Sequence, residues 1–158
     1  MDGAVRRAGA GALAIREARP GDIDALLAIE AIFPTDRLER RAFRHAVASP
    51  TIDLLVADGD AGVAGYALLQ RRRNSRTARL NSIAVRPGAV GKGLGKTLLE
   101  AAEARARAKG CTHLRLEVRA DNKPARTLYE KAGYRRFDVV EDYYEDGEAA
   151  WRYEKGLR

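Results

Sequence analysis

The chain has 158 residues, with 29 Lys and Arg against 22 Asp and Glu and a formal net charge of +7. That length suits one ordinary domain with a core of its own, and 46% hydrophobic with 32% charged residues excludes a disordered chain. No apolar run approaches the ~20 residues of a membrane-spanning helix. A single cysteine, Cys111, excludes an internal disulfide framework, and with only His45 and His113 beside it there is no zinc-ligand set.

Residues 1–12 are rich in Gly and Ala without periodicity and read as a flexible tail. Arg6 and Arg7 there have no greasy secretory core after them, which places the protein in the cytoplasm. The folded domain is then 13–158. Leu13 and Ile15 alternate with polar residues, as a short strand does. Pro20, Gly21 and Asp22 open a helix through Ile23, Leu26, Leu27 and Ile29, with Asp22 as its cap. The segment Phe33-Pro34-Thr35-Asp36 breaks it, and a second amphipathic helix runs from about 38 to 48, ended by Ser49-Pro50. Strands at 53–57 and 62–70 are joined by the turn Asp58-Gly59-Asp60, and another strand at 78–85 stops before Pro87-Gly88.

Arginines crowd residues 71–79, from the end of the second of these strands into the third: Arg71, Arg72, Arg73, Arg76 and Arg79. Such a cluster suits phosphates of nucleic acid, a solvated loop, or a funnel for a polyanionic small ligand. No aromatic residue interleaves with it as a stacking platform, which disfavours nucleic acid.

The second half alternates helix and strand. Leu94, Leu98, Ala101, Ala102 and Ala106 form an apolar stripe, and that helix ends near Lys109-Gly110. Leu114, Leu116 and Val118 share one side of a strand, with Arg115 and Glu117 on the other. Asn122 and Pro124 start a helix that Gly133 ends. Two last strands, near 134–140 and 149–155, flank the polar stretch Glu141 to Glu148. The order βααβββαβαββ predicts a single-domain α/β fold with a mixed sheet, hairpin-joined strands first and crossover helices later.

The segment from Ile83 to Thr97 carries the chemistry. A strand ends, a turn with Gly91, Gly93 and Gly95 follows, and a long helix starts inside it. Glycines let a ligand approach the backbone, and the helix start offers unpaired N–H groups with a favourable dipole. Together with Lys92 and Lys96 this is a site for a phosphate or diphosphate; a tight turn that binds nothing is the plainer reading. Gly95-Lys96-Thr97 resembles the end of a nucleotide-triphosphate loop, but that loop needs glycine where Val90 stands. The spacing G-x-G-x-G also misses the dinucleotide fingerprint.

What the turn does resemble is the pyrophosphate-binding turn of the GNAT N-acetyltransferase superfamily, Q/R-x-x-G-x-G/A followed by a helix. Val90 replaces the usual Gln or Arg. Leu116-Glu117-Val118-Arg119 with Asn122, and Leu128-Tyr129-Glu130 before Gly133-Tyr134, are similar to signatures of RimI-type N-terminal acetyltransferases, and Tyr143-Tyr144 resembles their late tyrosine pair. The segment after Phe33-Pro34 departs, with Thr35-Asp36 where the family often has Trp-Ser. The resemblance implies a mostly antiparallel central sheet of about six or seven strands flanked by about four helices. It also implies acetyl-CoA as co-substrate, no metal, and direct transfer to an amine, foremost the α-amine of a protein. By the same resemblance Gly91, Lys92, Gly93, Leu94, Gly95 and Lys96 hold the diphosphate, Ile83, Ala84 and Val85 pair with the pantetheine amides, and Asn122 contacts the cofactor arm.

Acetyl transfer from a thioester needs a neutral amine and a proton for the leaving thiolate. An α-amine of pKa about 7.7–8.0 is already about one-tenth neutral at pH 7. Glu117 is the candidate base; an ordinary glutamate paired with Arg115 or Arg119 is the alternative. Tyr129 is the candidate acid, or else a core aromatic on the face of Leu128 and Ala132. Asn122 caps its helix in either case. Tyr143 and Tyr144 line the acceptor groove beside Glu141, Asp142, Glu145 and Asp146, or belong to a solvated hairpin. Cys111 reads as a small buried residue, and His45 and His113 as structural or surface residues. Two other functions stay open: acetylation of a small amine such as a polyamine, amino acid or drug, and an idle module that binds CoA or nucleic acid.

Overall fold

The computed structural model describes residues 13–90 and 93–158. The expected tail at 1–12 and the two turn residues Gly91 and Lys92 lie outside the described residues. Seven strands form one sheet: β1 (Ala14–Glu17), β2 (Ile52–Gly59), β3 (Gly62–Arg71), β4 (Thr77–Val85), β5 (His113–Arg119), β6 (Arg135–Val140) and β7 (Ala150–Gly156). Their spatial order is β1-β2-β3-β4-β5-β7-β6. Every neighbouring pair is antiparallel except β4 and β5, which run parallel because α3 crosses between them. The helices are α1 (Ile23–Glu30), α2 (Arg40–Ala48), α3 (Leu94–Ala108) and α4 (Lys123–Lys131). The α/β class, the element order and the mostly antiparallel sheet are as the sequence predicts.

Side-chain alternation splits the core into two clusters on opposite faces. On one face Leu98, Leu99, Ala102 and Ala106 of α3 pack on Leu69, Leu80, Leu114 and Leu116. On the other, Leu26 of α1 and Phe43 of α2 pack on Val56, Tyr66 and Leu68. Each fully buried leucine stabilises the fold by about 1.5–3 kcal/mol. The α3 helix is long for a physical reason: its alanines suit the helix, and Gly110, at φ 87°, then takes the left-handed turn while Cys111 N–H bonds back to the Ala106 carbonyl.

Two local expectations change. Asp22 stands at the start of α1 but makes no cap bond to that helix. Its carboxylate accepts instead from the Arg16 guanidinium, at 2.8 and 2.9 Å, and from Arg19 N–H at 2.7 Å. The second helix begins at Arg40 rather than 38, because Leu38 N–H donates to the Glu30 carboxylate at 2.7 Å and Glu39 is extended.

Candidate active site

The two parallel strands pair only from Thr77 to Leu80 against His113 to Leu116. Beyond that point β4 stays with β3 and β5 stays with β7, and a slit opens between them. A bulge marks the parting: Leu68 faces Ser82 and Leu69 faces Leu80, so Asn81 is the extra residue, its amide donating to Gln70 Oε1 at 2.7 Å. Such an insertion bends and twists the strand that carries it. The slit belongs to a cleft of about 590 Å³ that reaches both faces of the sheet. Glu30, Pro34 and Tyr144 line it on one side, and Gly95, Leu128 and Tyr129 on the other.

On the α3 side, the helix start leaves backbone amides free of intrahelical partners. Gly93 is at φ 74°, a left-handed conformation that glycine takes at no steric cost, and it caps α3 without any side-chain bond. Thr97 N–H bonds to the Gly93 carbonyl at 3.1 Å, which leaves the amides of Leu94, Gly95 and Lys96 as the unpaired first turn. Gly95 is different: a methyl there would meet Leu128 at an ordinary 3.5 Å, so space does not demand glycine. Along β4, Arg86 N–H donates to the Ala64 carbonyl at 2.7 Å and Ala84 faces Tyr66. Alternation then turns the backbone groups of Ile83 and Val85 into the slit, while those of Ala84 are spent on β3. Asn122 Oδ1 accepts from Ala125 N–H at 3.2 Å, and the residue also lines the cleft. Two buried guanidinium nitrogens near these elements, Nε of Arg86 and of Arg126, have no partner among the described residues.

Glu117 stands where β5 leaves the pairing. Its side chain is 8% exposed, and its two oxygens accept from Arg79 at 2.5 Å and from Arg152 at 3.2 Å. Tyr129 is buried, edge-on to Tyr134 and Tyr153, and its hydroxyl donates to no described residue. Burial, with a smaller push from Tyr144, raises the phenol well above its ordinary value. Tyr144 is pushed up to about 12, mainly by burial, and Arg119 stacks on its ring.

The loops on this side are tied together. Asp36 N–H donates to Glu145 at 2.7 Å, and Glu145 N–H returns to Asp36 at 3.4 Å. Beneath them, the buried Glu30 accepts from the Tyr66 hydroxyl, which also lies 2.7 Å from Ser82 Oγ.

Over residues 22–134 the sequence matches the profile described as "Acetyltransferase (GNAT) family". The chain belongs to that family. It is 34% identical over 134 residues to a Bacillus subtilis protein provisionally named a ribosomal protein bS18-alanine N-acetyltransferase, covering 84% of this chain and 87% of that one. An N-alpha-acetyltransferase of Saccharolobus solfataricus is 30% identical over 148 residues, covering 87% and 89%. The crystal structure of the ribosomal-protein-S18-alanine N-acetyltransferase from Escherichia coli superposes with a TM-score of 0.83 at 27% identity, covering 92% of this chain and 94% of that one.

In this GNAT chain most of the residues singled out from sequence meet at one cleft: Ile83, Ala84, Val85, Gly95, Glu117, Asn122, Tyr129 and Tyr144 all line it. Gly93, Leu94 and Lys96 form the adjoining helix start, with Leu94 buried and Lys96 exposed. Tyr143 departs from the expectation. It does not line the cleft, and its hydroxyl accepts from Arg79 at 3.1 Å. Two of the four acids expected to draw an ammonium are engaged elsewhere, Asp146 with Arg119 at 2.6 Å and Glu145 with the Asp36 N–H at 2.7 Å. The alternative reading of Glu117, paired with Arg115 or Arg119, does not hold either. Arg115 pairs with Glu154 and Arg119 with Asp121 and Asp146, because Glu117 lies opposite Arg152 across the β5–β7 ladder. Sequence reasoning missed Glu30, Tyr66 and Ser82. A glutamate closing an otherwise apolar helix face was the available signal.

Proposed function

We propose that this GNAT chain is an acetyl-CoA-dependent acetyltransferase that moves the acetyl group directly to an amine, foremost the N-terminal α-amine of a protein. One observation carries the reading: a slit through the sheet brings a carboxylate, Glu117, and a protonated phenol, Tyr129, to one cleft. Acetyl-CoA, when bound, supplies the activated acyl group and a thiolate leaving group. The residues that fit it are the free amides of Leu94, Gly95 and Lys96 for the diphosphate, and the backbone of Ile83 and Val85 for the amide-bearing arm. The unpartnered nitrogens of Arg86 and Arg126 suit a polyanionic ligand.

Each Glu117 oxygen keeps a lone pair beyond its arginine bond, so the carboxylate can take the amine's proton directly or through a water. Tyr129 keeps its proton at neutral pH and donates it to the departing sulfur. The same dry surroundings raise the basicity of that sulfur, which keeps donor and acceptor matched. Relatives named for N-terminal acetylation support a protein α-amine as acceptor.

The test is acetylation of an alanine-starting peptide beside a panel of free polyamines and amino acids. Glu117→Gln and Tyr129→Phe should each lower kcat by about 10²–10⁴-fold with the fold intact, and free amines should be poor substrates. Wild-type rates in both variants remove the mechanism, and faster turnover of free amines replaces the acceptor.

A further inference from the structure

A second cavity, of about 390 Å³, adjoins Glu117 on the sheet face opposite α3. Gln70 and Arg79, which face each other across β3 and β4, line it with Arg115 and Arg152, and Arg72 closes it from the loop after β3. Four of its lining residues are arginines, and Glu117 is the one carboxylate among them. Glu117 also lines the main cleft, so it forms part of the wall between the two spaces.

The charges in this wall are unevenly matched. Arg79 and Arg152 share Glu117, and Arg152 also lies 3.6 Å from Asp138. Arg115 is paired with Glu154 at 2.6 Å but remains 43% exposed at its side chain. Arg72 is exposed and has no acidic partner among the described residues. A concave space lined this way attracts an oxyanion, and guanidinium groups bind a carboxylate with two parallel bonds.

We propose that this cavity is an oxyanion subsite of the acceptor, taking the carboxylate of an acidic side chain that follows the reacting α-amine. The proposal rests on the peptide-acceptor reading above. It is favoured over a nucleic acid footprint because the arginines face a side-chain-sized cavity beside the reacting carboxylate, and because Arg71 of the same cluster is already held by Asp53 at 2.9 Å. Arg72 and Arg115 give the specificity, and neither belongs to the proposed proton-transfer pair.

Binding is measured first without turnover. N-acetylated alanine-starting peptides, one with two downstream glutamates and one with glutamines in their place, are titrated calorimetrically into the full chain. The acidic peptide should bind about tenfold more tightly, the equivalent of one charge-assisted hydrogen bond. That ratio should fall toward one in Arg72→Gln and in the double variant with Arg115→Gln. The kcat for the unblocked glutamine peptide should stay at the wild-type value in both variants. Inorganic phosphate and a short single-stranded RNA are the competing probes.

Equal affinity for the two peptides, or a ratio unchanged in the variants, overturns the subsite and leaves the acceptor reading standing. So does arginine-dependent binding of phosphate or RNA that the acidic peptide fails to displace. An enzyme that turns over only free amines, yet binds the blocked acidic peptide through Arg72, overturns the acceptor reading and with it the subsite's role in the acceptor, leaving a carboxylate-binding cavity alone.

Discussion

Gly65 of β3 sits against the strand that borders the slit, and Gly65→Ala tests how tightly that strand is held. A methyl group at this position would lie 2.8 Å from the Ala84 carbonyl oxygen and 3.0 Å from Leu98 Cδ1. The Ala84 contact is backbone and cannot swing aside, so β4 must move by a few tenths of an ångström at Ala84 and Val85. Inserting one methyl into a packed site of this kind costs about 1–3 kcal/mol. At about 2–4 °C per kcal/mol for a chain of this size, the melting temperature should fall by roughly 2–12 °C. The displaced strand carries Val85, so the KM for acetyl-CoA should rise while kcat at saturation changes less. Gly21→Ala is the control, because nothing lies within 4 Å of a methyl there and its φ is ordinary. It should leave stability unchanged or raise it by about 0.4–1 kcal/mol. Thermal melts by circular dichroism, with steady-state kinetics over a range of acetyl-CoA, decide the matter. A Gly65→Ala protein that melts at or above the wild-type temperature refutes the claim that β4 is fixed by close packing on β3.

Tyr66→Phe keeps the ring but takes the hydroxyl from the buried Glu30 carboxylate, leaving Leu38 N–H as its remaining bonded partner. It should destabilise the protein by about 1.5–3 kcal/mol in urea unfolding, and an unchanged midpoint would show that Glu30 does not depend on that bond. The Arg16 guanidinium holds the Asp22 carboxyl below its ordinary value. Asp22 is therefore ionised in the folded chain to lower pH than in the unfolded one. The stability it confers is present above about pH 4, the unfolded value, and is lost as pH falls through the folded value. Melting temperature plotted against pH should accordingly fall more steeply below pH 4 in wild type than in Asp22→Asn, and parallel curves would refute the assignment.

Periodicity made the fold readable. Leu114, Leu116 and Val118 alternate as a strand must, and Leu94, Leu98 and Ala102 recur as a helix must; both patterns are dictated by local geometry. The glycine turn was legible for the same reason, since Gly93 sits at positive φ. Partners across the sheet were not legible. Arg115 and Arg119 are the nearest arginines to Glu117 in sequence, yet register places Arg152 opposite it, and no local pattern encodes the pairing of strands that distant. The bulge at Asn81 is equally silent, because it depends on how β3 and β4 align. Tyr143 and Tyr144 are adjacent in sequence, but only one reaches the cleft.

The parting of β4 and β5 perforates the sheet instead of merely denting one surface. On the proposed function, thioester and nucleophile then have separate doorways, one beside α3 and one beneath the tied loops. On that reading neither would have to vacate a shared entrance before the other arrived, and the acylated chain could withdraw without waiting for the spent carrier to leave.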